Sequence, residues 1–240
     1  MMVLIVGASG ATGRLLVRQL LDRGVTVRAI VREPEILIKA VGAHERLSVV
    51  HAAVLDLSDA ELIQHVSGCE AIASCLGHTL SFKGIYGKPR RLVTDATRRL
   101  CEAVKANAPG APVKLVLMNS TGCRNHDLGE SVSLTEKWVV GLIRLLIPPH
   151  SDNEHAAEYL RRQVGAKDAS IEWVAVRPDS LVDEVAVSQY EVHPSPIRSA
   201  IFNSGKSSRI NVSDFMADLI TGDTVWHTWK GKTPVIYNVE

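Results

Sequence analysis

The residues best able to do chemistry sit at the ends of short apolar runs. Gly7-Ala8-Ser9-Gly10-Ala11-Thr12-Gly13 follows the run Val3 to Val6 and precedes an amphipathic stretch from Arg14. Gly7 suits a sharp turn, Gly10 lets backbone approach a pyrophosphate, and Gly13 lets a helix pack closely on a strand. Together with Ser9, Ala11 and Thr12 they place N–H donors at a helix N-terminus, where the partial positive charge favours phosphate oxygens. In that strand-to-helix context the pattern predicts a dinucleotide-binding turn.

Further residues at later run ends refine the expectation. Arg32 closes the second run, Val25 to Val31, where an arginine fork suits a ribose 2′-phosphate and points to NADP(H). The adjacent Glu33 keeps NAD(H) as the lesser alternative, and Arg28 is near in sequence without a clear direction. Asp56 and Leu57 are placed to line an adenine pocket, although Asp56 could equally cap the helix that begins near Asp59. Cys75, Leu76 and Gly77 would pass close to the cofactor, and His78 adds a titratable group. The stretch Phe82 to Lys88, with Lys83, Tyr86 and Lys88, could fold over the site as a flap. Ser120 and Thr121 end the fifth run; the Ser120 hydroxyl could bond a substrate carbonyl or a carboxamide, or equally satisfy local backbone. Arg177, Pro178, Asp179 and Ser180 end the sixth, with Pro178 turning the chain over the nicotinamide side.

The elements that must hold these residues alternate in period. Strands are expected at Val3 to Val6, Val25 to Val31, Leu47 to His51, Ala71 to Cys75, Val113 to Met118 and Ile171 to Val176. Nearly continuous apolar content suits strands covered on both faces. Helical periodicity marks Arg14 to Arg23, Ala60 to Val66, Arg90 to Ala106 and Asn153 to Val164. The alternation predicts an α/β fold: a Rossmann-like, doubly wound parallel sheet with helices on both faces. A small C-terminal subregion from about Leu181 to Glu240 is expected on the substrate side, with strands at Tyr190 to Val192, near Arg209 to Asn211 and at Val235 to Tyr237, and a helix capped by Ser213. The segment Gly122 to Asp152 breaks the pattern as a polar loop, an apolar helix from Leu134 to Ile147, and Pro148-Pro149. Trp138, Leu142 and Leu145 or Leu146 recur there at helical spacing, which suits core packing or a homodimer contact.

Bulk properties narrow the function classes. The 240 residues, 46% hydrophobic, can form one domain with a sizeable core. A formal net charge of +1 gives no field to recruit nucleic acid or an anionic membrane, so a small-molecule substrate is expected. Cys69, Cys75, Cys101 and Cys123 lack metal-binding or disulfide-framework spacing, so no metal is expected and a reducing cytoplasm fits. The start of the chain has no secretory pattern, and the apolar stretch Trp138 to Ile147 is interrupted by Arg144 and too short to span a bilayer.

Taken together, VGASGATG, Val31-Arg32, Asp56-Leu57, Ser120 and Val176-Arg177-Pro178 resemble the atypical short-chain dehydrogenases of the NAD(P)H-binding, NmrA-like class over most of the chain. The sixth run and Ile210 to Asp214 are similar to flavin reductase and biliverdin reductase type proteins. The resemblance implies an NADP-binding Rossmann domain with substrate above the nicotinamide. Three departures stand out. Many members activate a carbonyl with a Tyr-x-x-x-Lys pair after the serine strand, yet here no tyrosine follows Ser120 until Tyr159, and the only lysine before it is Lys137. Asn153 or a neighbour stands where many atypical relatives carry a lysine, and Ser180 where biliverdin-reducing relatives carry a histidine. The resemblance therefore implies hydride delivery to an undemanding acceptor such as a flavin or quinone, with Ser120, Asn153 and His78 orienting or protonating. The alternative is an NADP(H) sensor presenting the Leu134 to Ile147 helix to a partner. A sugar-nucleotide or polyketide modifying enzyme is disfavoured by the missing tyrosine.

Overall fold

The computed structural model describes residues 1–78, 87–123, 125–130 and 148–239. The expected helix at 134–147, with its homodimer contact, and the flap residues Lys83 and Tyr86 lie outside them.

Strand β1 (Met2–Val6) shows why the early runs are apolar throughout. Val3 and Ile5 point into one core cluster and Leu4 and Val6 into another, following the two-residue period of a strand. Helix α1 (Gly13–Asp22), joined to β1 by the glycine turn, buries Leu16, Val17 and Leu20 on the first face and leads to β2 (Thr26–Val31). A short helix α2 (Pro34–Val41), begun by Pro34 in its first turn, leads to β3 (Leu47–His51). Helix α3 (Asp59–Val66) then leads to β4 (Ala71–Ser74), and helix α4 (Leu92–Ala106) to β5 (Val113–Met118). Helix α5 (Pro148–Tyr159) continues into a π-helical turn at Leu160–Val164 before β6 (Ile171–Pro178). Helices α3, α4 and α5 cover the second face.

The main sheet has the order β3-β2-β1-β4-β5-β6-β10-β8, where β8 is Tyr190–His193 and β10 is Val235–Asn238. All neighbours pair parallel except β10 with β8. Reversal of strand order between β1 and β4 opens a crevice at their carboxyl ends, the place where doubly wound sheets take ligands. A separate parallel pair, β7 (Ser180–Val182) and β9 (Lys206–Ser208), extends from the end of β6.

Two C-terminal expectations are corrected. The residues Arg209 to Asn211 do not form a strand; they open helix α6 (Arg209–Thr221), and the strand precedes them at β9. The cap of α6 is Ser208, whose Oγ accepts from Asn211 N at 3.2 Å, while Ser213 is buried inside the helix and donates to the Ile210 carbonyl. The β-branched run resembles a strand, but α6 gains burial along α1, and tertiary contact overrides the local preference. Helix α7 (Asp223–Trp229) follows and buries Trp226.

Candidate functional site

The glycine turn is built to leave its outer side open. Gly7 has φ +74°, and a Cβ there would stand 2.5 Å from the Cys75 carbonyl carbon and 2.7 Å from Leu76 N. Cys75 and Leu76 thus touch the turn itself, and β4 can lie this close only because Gly7 lacks a side chain. A Cβ on Gly13 would sit 2.2 Å from the Gly7 carbonyl oxygen. Gly10 differs: its Cβ would meet only Gly7 O, at 3.2 Å, and both Gly10 and Ala11 face solvent while Ser9 is half-buried. Thr12, at the N-cap of α1, is buried and makes no side-chain cap bond, and the first turn of α1 holds no acidic residue. Positive helix-end potential thus faces the open side without an internal anion to neutralise it. These residues fit a dinucleotide pyrophosphate.

Around the turn, the strand ends fall along one edge. Arg32, just past β2, is exposed, and no ion pair holds it among the described residues; Glu33 beside it is the N-cap residue of α2. Arg28 reaches the other way, to the carbonyls of His65 and Ser67 behind α3. The turn after β3 exposes Asp56, and Arg99 on α4 pins it by donating to the carbonyls of Val54, Leu55 and Leu57. Asp56 does not cap α3. That cap is Ser58, in a reciprocal pair with Glu61.

Past β4 and the exposed Gly77, His78 Nε2 lies 2.8 Å from Asp152 Oδ2 on α5. Asp152 also accepts from Val93 N at 2.8 Å and Thr94 N at 2.9 Å, so a carboxylate from α5 caps the N-terminus of α4. Burial alone would push the Asp152 carboxyl up; the bonds from His78, Thr94 and Val93 outweigh it and hold the group below the ordinary carboxylate range. Asp152 stands one residue before the expected helix start at Asn153, and nothing in the sequence flags it as the cap of α4 instead.

The end of β5 meets α5 as well. Asn119 Nδ2 donates to the Asn153 carbonyl at 2.9 Å, and Asn119 Oδ1 accepts from Ser120 N at 2.8 Å. Asn153 thus enters through its backbone. Ser120 Oγ accepts from Gly122 N at 3.3 Å. A Cβ on Gly122 would stand 3.4 Å from His150 Nδ1 and 3.7 Å from Ser120 Oγ, so the imidazole and the hydroxyl flank the same glycine. His150 was hidden because α5 begins at Pro148, five residues before the expected start at Asn153; the proline pair opens the helix rather than ending the preceding one.

The end of β6 corrects one expectation. Arg177 is 1% exposed, and its five N–H groups are all placed. They donate to Thr233 O, Cys123 O, Pro194 O and, through both Nη1 and Nη2, to the Glu130 carboxylate. The side chain therefore locks the β6 end to three other segments and has no donor left for a cofactor. Thr121 N donates to Pro178 O, and Thr121 Oγ1 to Asp179 Oδ1 at 3.2 Å. Asp179 also accepts from Gly205 N, while Ser180 N donates to Gly205 O. Burial pushes the Asp179 carboxyl up, and hydrogen bonds from Gly205, Thr121 and Ser180 offset only part of that. Beyond Ser120 lies a cavity of about 320 Å³ lined by Cys123, Asn125, Ser151, Glu154, His155 and Arg161, among others. Among the described residues no group of three His, Cys, Asp or Glu side chains could hold a metal, and no helix is long and apolar enough to cross a membrane.

The 3-2-1-4-5-6 strand core with an open glycine cradle at its switch point defines a Rossmann-type dinucleotide-binding protein. Comparison with known proteins makes this specific: a family model for NAD(P)H-binding proteins matches residues 7–223, and the chain belongs to that family. The Medicago truncatula cinnamoyl-CoA reductase CAD2 is 31% identical over 127 residues, 50% of this chain and 37% of that protein. The match thus spans little more than a third of that relative's length. A short-chain dehydrogenase/reductase from Veillonella parvula, solved in complex with NADP, has a TM-score of 0.71 at 16% identity, covering 99% of this chain and 94% of its own. A Streptococcus pneumoniae protein provisionally named an NADH-flavin reductase has a TM-score of 0.65 at 14% identity, with both chains fully covered. At such identities these structures establish the fold alone, a Rossmann-type parallel α/β sheet.

Proposed function

We propose that the chain is an NADP(H)-dependent reductase that passes hydride to a flavin, a quinone or a similarly small acceptor. The observation that carries the reading is the neighbourhood of Ser120, where His150 stands near Gly122 and where, among the described residues, no tyrosine-lysine pair is found. The one tyrosine of α5, Tyr159, packs against the core of the second face, and burial pushes its hydroxyl up to about 12, far from the range of a working proton donor. Carbonyl chemistry of the tyrosine type is thereby disfavoured, whereas a flavin or quinone accepts hydride with little acid assistance.

The bound nicotinamide would supply the hydride. The residues of this chain do the rest: the Ser9-to-Gly13 backbone holds pyrophosphate, Arg32 meets a 2′-phosphate, and Asp56 and Leu57 bound the adenine side. The Ser120 hydroxyl orients the acceptor, and the Asp152 clamp fixes α5 against α4 so that the two sides of the site keep their spacing. The preference for NADP(H) rests on Arg32, exposed at the end of β2 without an ion pair.

The experiment is direct: purified protein with NADPH is offered FMN, dichloroindophenol and a soluble quinone, and NADPH absorbance is followed. Acceptor-dependent oxidation, weakened in kcat/KM by Ser120→Ala, is expected. Tight NADPH binding with no turnover across the panel would refute the reductase reading and leave a nucleotide sensor.

A further inference from the structure

Reducing a quinone or flavin by hydride also consumes one proton, and the residues first placed near the nicotinamide supply no obvious donor: His78 is engaged with Asp152, and Asn153 contributes its carbonyl to Asn119. We propose, resting on the reductase reading, that His150 is the proton donor and that Glu154 positions it.

The geometry has three parts. His150 and Glu154 lie four residues apart on α5, one turn of a helix, with Nε2 3.5 Å from Glu154 Oε1 and side chains only 14% and 16% exposed. The ring's other edge faces Gly122: a Cβ there would stand 3.0 Å from Cε1 and 3.4 Å from Nδ1, with the Ser120 hydroxyl near the same glycine at 3.7 Å. Among the described residues His150 Nε2 is buried without a hydrogen bond, because 3.5 Å to Glu154 is an ion-pair distance that falls short of hydrogen-bond geometry. A buried imidazole nitrogen left unsatisfied is costly unless the ring takes up charge or closes on a partner, and Glu154 is the partner at hand.

Glu154 also lines the cavity of about 320 Å³ beyond Ser120, so one carboxylate touches both the imidazole and a polar space with room for water. The other charged groups of the surrounding elements are already matched: Asp152 with His78, and Arg177 with Glu130 across the cavity wall. His155 and Glu158 line the cavity further along α5, and Arg161 there pairs with Asp127.

The step balances as follows. The acceptor gains a hydride from the reduced nicotinamide, which is oxidised, and a proton from the His150 imidazolium at Nδ1. The N–H bond of the imidazolium breaks, its electron pair stays on the ring, and an O–H or N–H bond forms on the acceptor. The neutral imidazole keeps its Nε2–H toward Glu154, and Nδ1 takes the next proton from solvent after the reduced acceptor leaves.

Two measurements test this. In ligand-free protein, the His150 ring-nitrogen chemical shifts followed by NMR should move in Glu154→Gln while those of His78 stay, since the carboxylate 3.5 Å from Nε2 is lost; unmoved His150 shifts overturn the pairing, whatever the catalytic outcome. In turnover, His150→Asn should lower kcat with a quinone by about 10²-fold, the low end for a lost general acid. It should also flatten the alkaline limb of the rate against pH, leave the NADPH Kd within about twofold, and recover rate when free imidazole is added. His150→Gln serves if the asparagine variant folds poorly. A wild-type enzyme that turns over and a folded His150 variant that matches it at every pH would overturn the proposal while leaving the reductase reading intact. No turnover by the wild type would instead refute that reading, and with it the donor role.

Discussion

Asp152 Oδ2 and His78 Nε2 meet at 2.8 Å across 74 residues of sequence, and the same carboxylate caps the first turn of α4. One side chain thus ties the β4 exit, α4 and α5 together. Asp152→Ala should leave the Val93 and Thr94 N–H groups buried without an acceptor and His78 without its partner. Loss of a cap and of buried charge-assisted bonds together costs about 3 kcal/mol. For a chain of this size that corresponds to a fall in Tm of roughly 6–12 °C by calorimetry, with Asp152→Asn intermediate because its carbonyl oxygen still accepts. An unchanged Tm for the alanine variant would remove the clamp from the argument.

Acid should act through the same carboxyl. Its folded pKa lies below its unfolded value, so its contribution is fully present above about pH 4 and is lost as pH falls through the lower folded value. Urea midpoints measured downward from neutral pH should therefore fall more steeply for the native protein than for Asp152→Asn, with the gap between them closing below about pH 4. A gap that stays constant into acid would place the acid sensitivity elsewhere.

Arg177 was expected at the cofactor and is found holding the fold. Arg177→Met takes the guanidinium from the Glu130 carboxylate, itself only 6% exposed and left with Asn125 N among its remaining partners, and removes five hydrogen bonds. Breaking a buried ion pair by removing one partner typically costs about 3–5 kcal/mol, so loss of soluble folded protein is the expected outcome. The double variant Arg177→Met with Glu130→Leu should recover part of the stability, because the orphaned charge is gone. A folded single variant whose only defect was weak NADPH binding would restore the cofactor role.

The contrast between these residues shows what the sequence carried. The strand-turn-helix at Val3 to Asp22 was legible because three signals agree there: an apolar run, three glycines at the required spacing, and an amphipathic helix. The doubly wound parallel fold was expected from it and from the alternation of runs that follows. The far side of the site was obscure for a local reason. Pro148-Pro149 can close one helix or open the next, and only the burial of Asp152 and Ala156 against α4 decides between them. Reading α5 from Asn153 left His150 and Asp152 in an expected loop and hid their partners. Arg177 failed differently: a strand-end arginine looks identical whether its donors face a ligand or Glu130, and Glu130 is 47 residues away in sequence. At the C-terminus, a β-branched run was read as a strand where packing on α1 makes it helical.

Cofactor preference should turn on one exposed arginine. Arg32→Ala should weaken NADPH at least tenfold while changing NADH little, since a charge-assisted phosphate contact is worth about 1.5–3 kcal/mol and only NADPH carries that phosphate. Titration calorimetry with both nucleotides measures it. Equal losses for the two would show that Arg32 is not at the 2′-phosphate, and the adjacent Glu33 would become the residue to change.

The glycine cradle permits a sharper separation of fold from binding. Gly13→Ala would place a Cβ 2.2 Å from the Gly7 carbonyl oxygen, which no side-chain motion relieves, so the β1–α1 junction must open and the protein should lose stability outright. Gly10→Ala meets only one backbone oxygen, at 3.2 Å, with solvent on its other side. The fold should absorb it within about 1 kcal/mol, because the backbone at Gly10 does not require a left-handed conformation and the residue is exposed. A methyl on the open face, however, stands where pyrophosphate must approach, so NADPH affinity should fall by tenfold or more while Tm changes by a few degrees. Thermal unfolding and nucleotide titration on the two variants therefore distinguish a turn shaped for packing alone from one shaped for a ligand. Gly10→Ala with native Tm and native NADPH affinity would mean that phosphate does not lie against this turn.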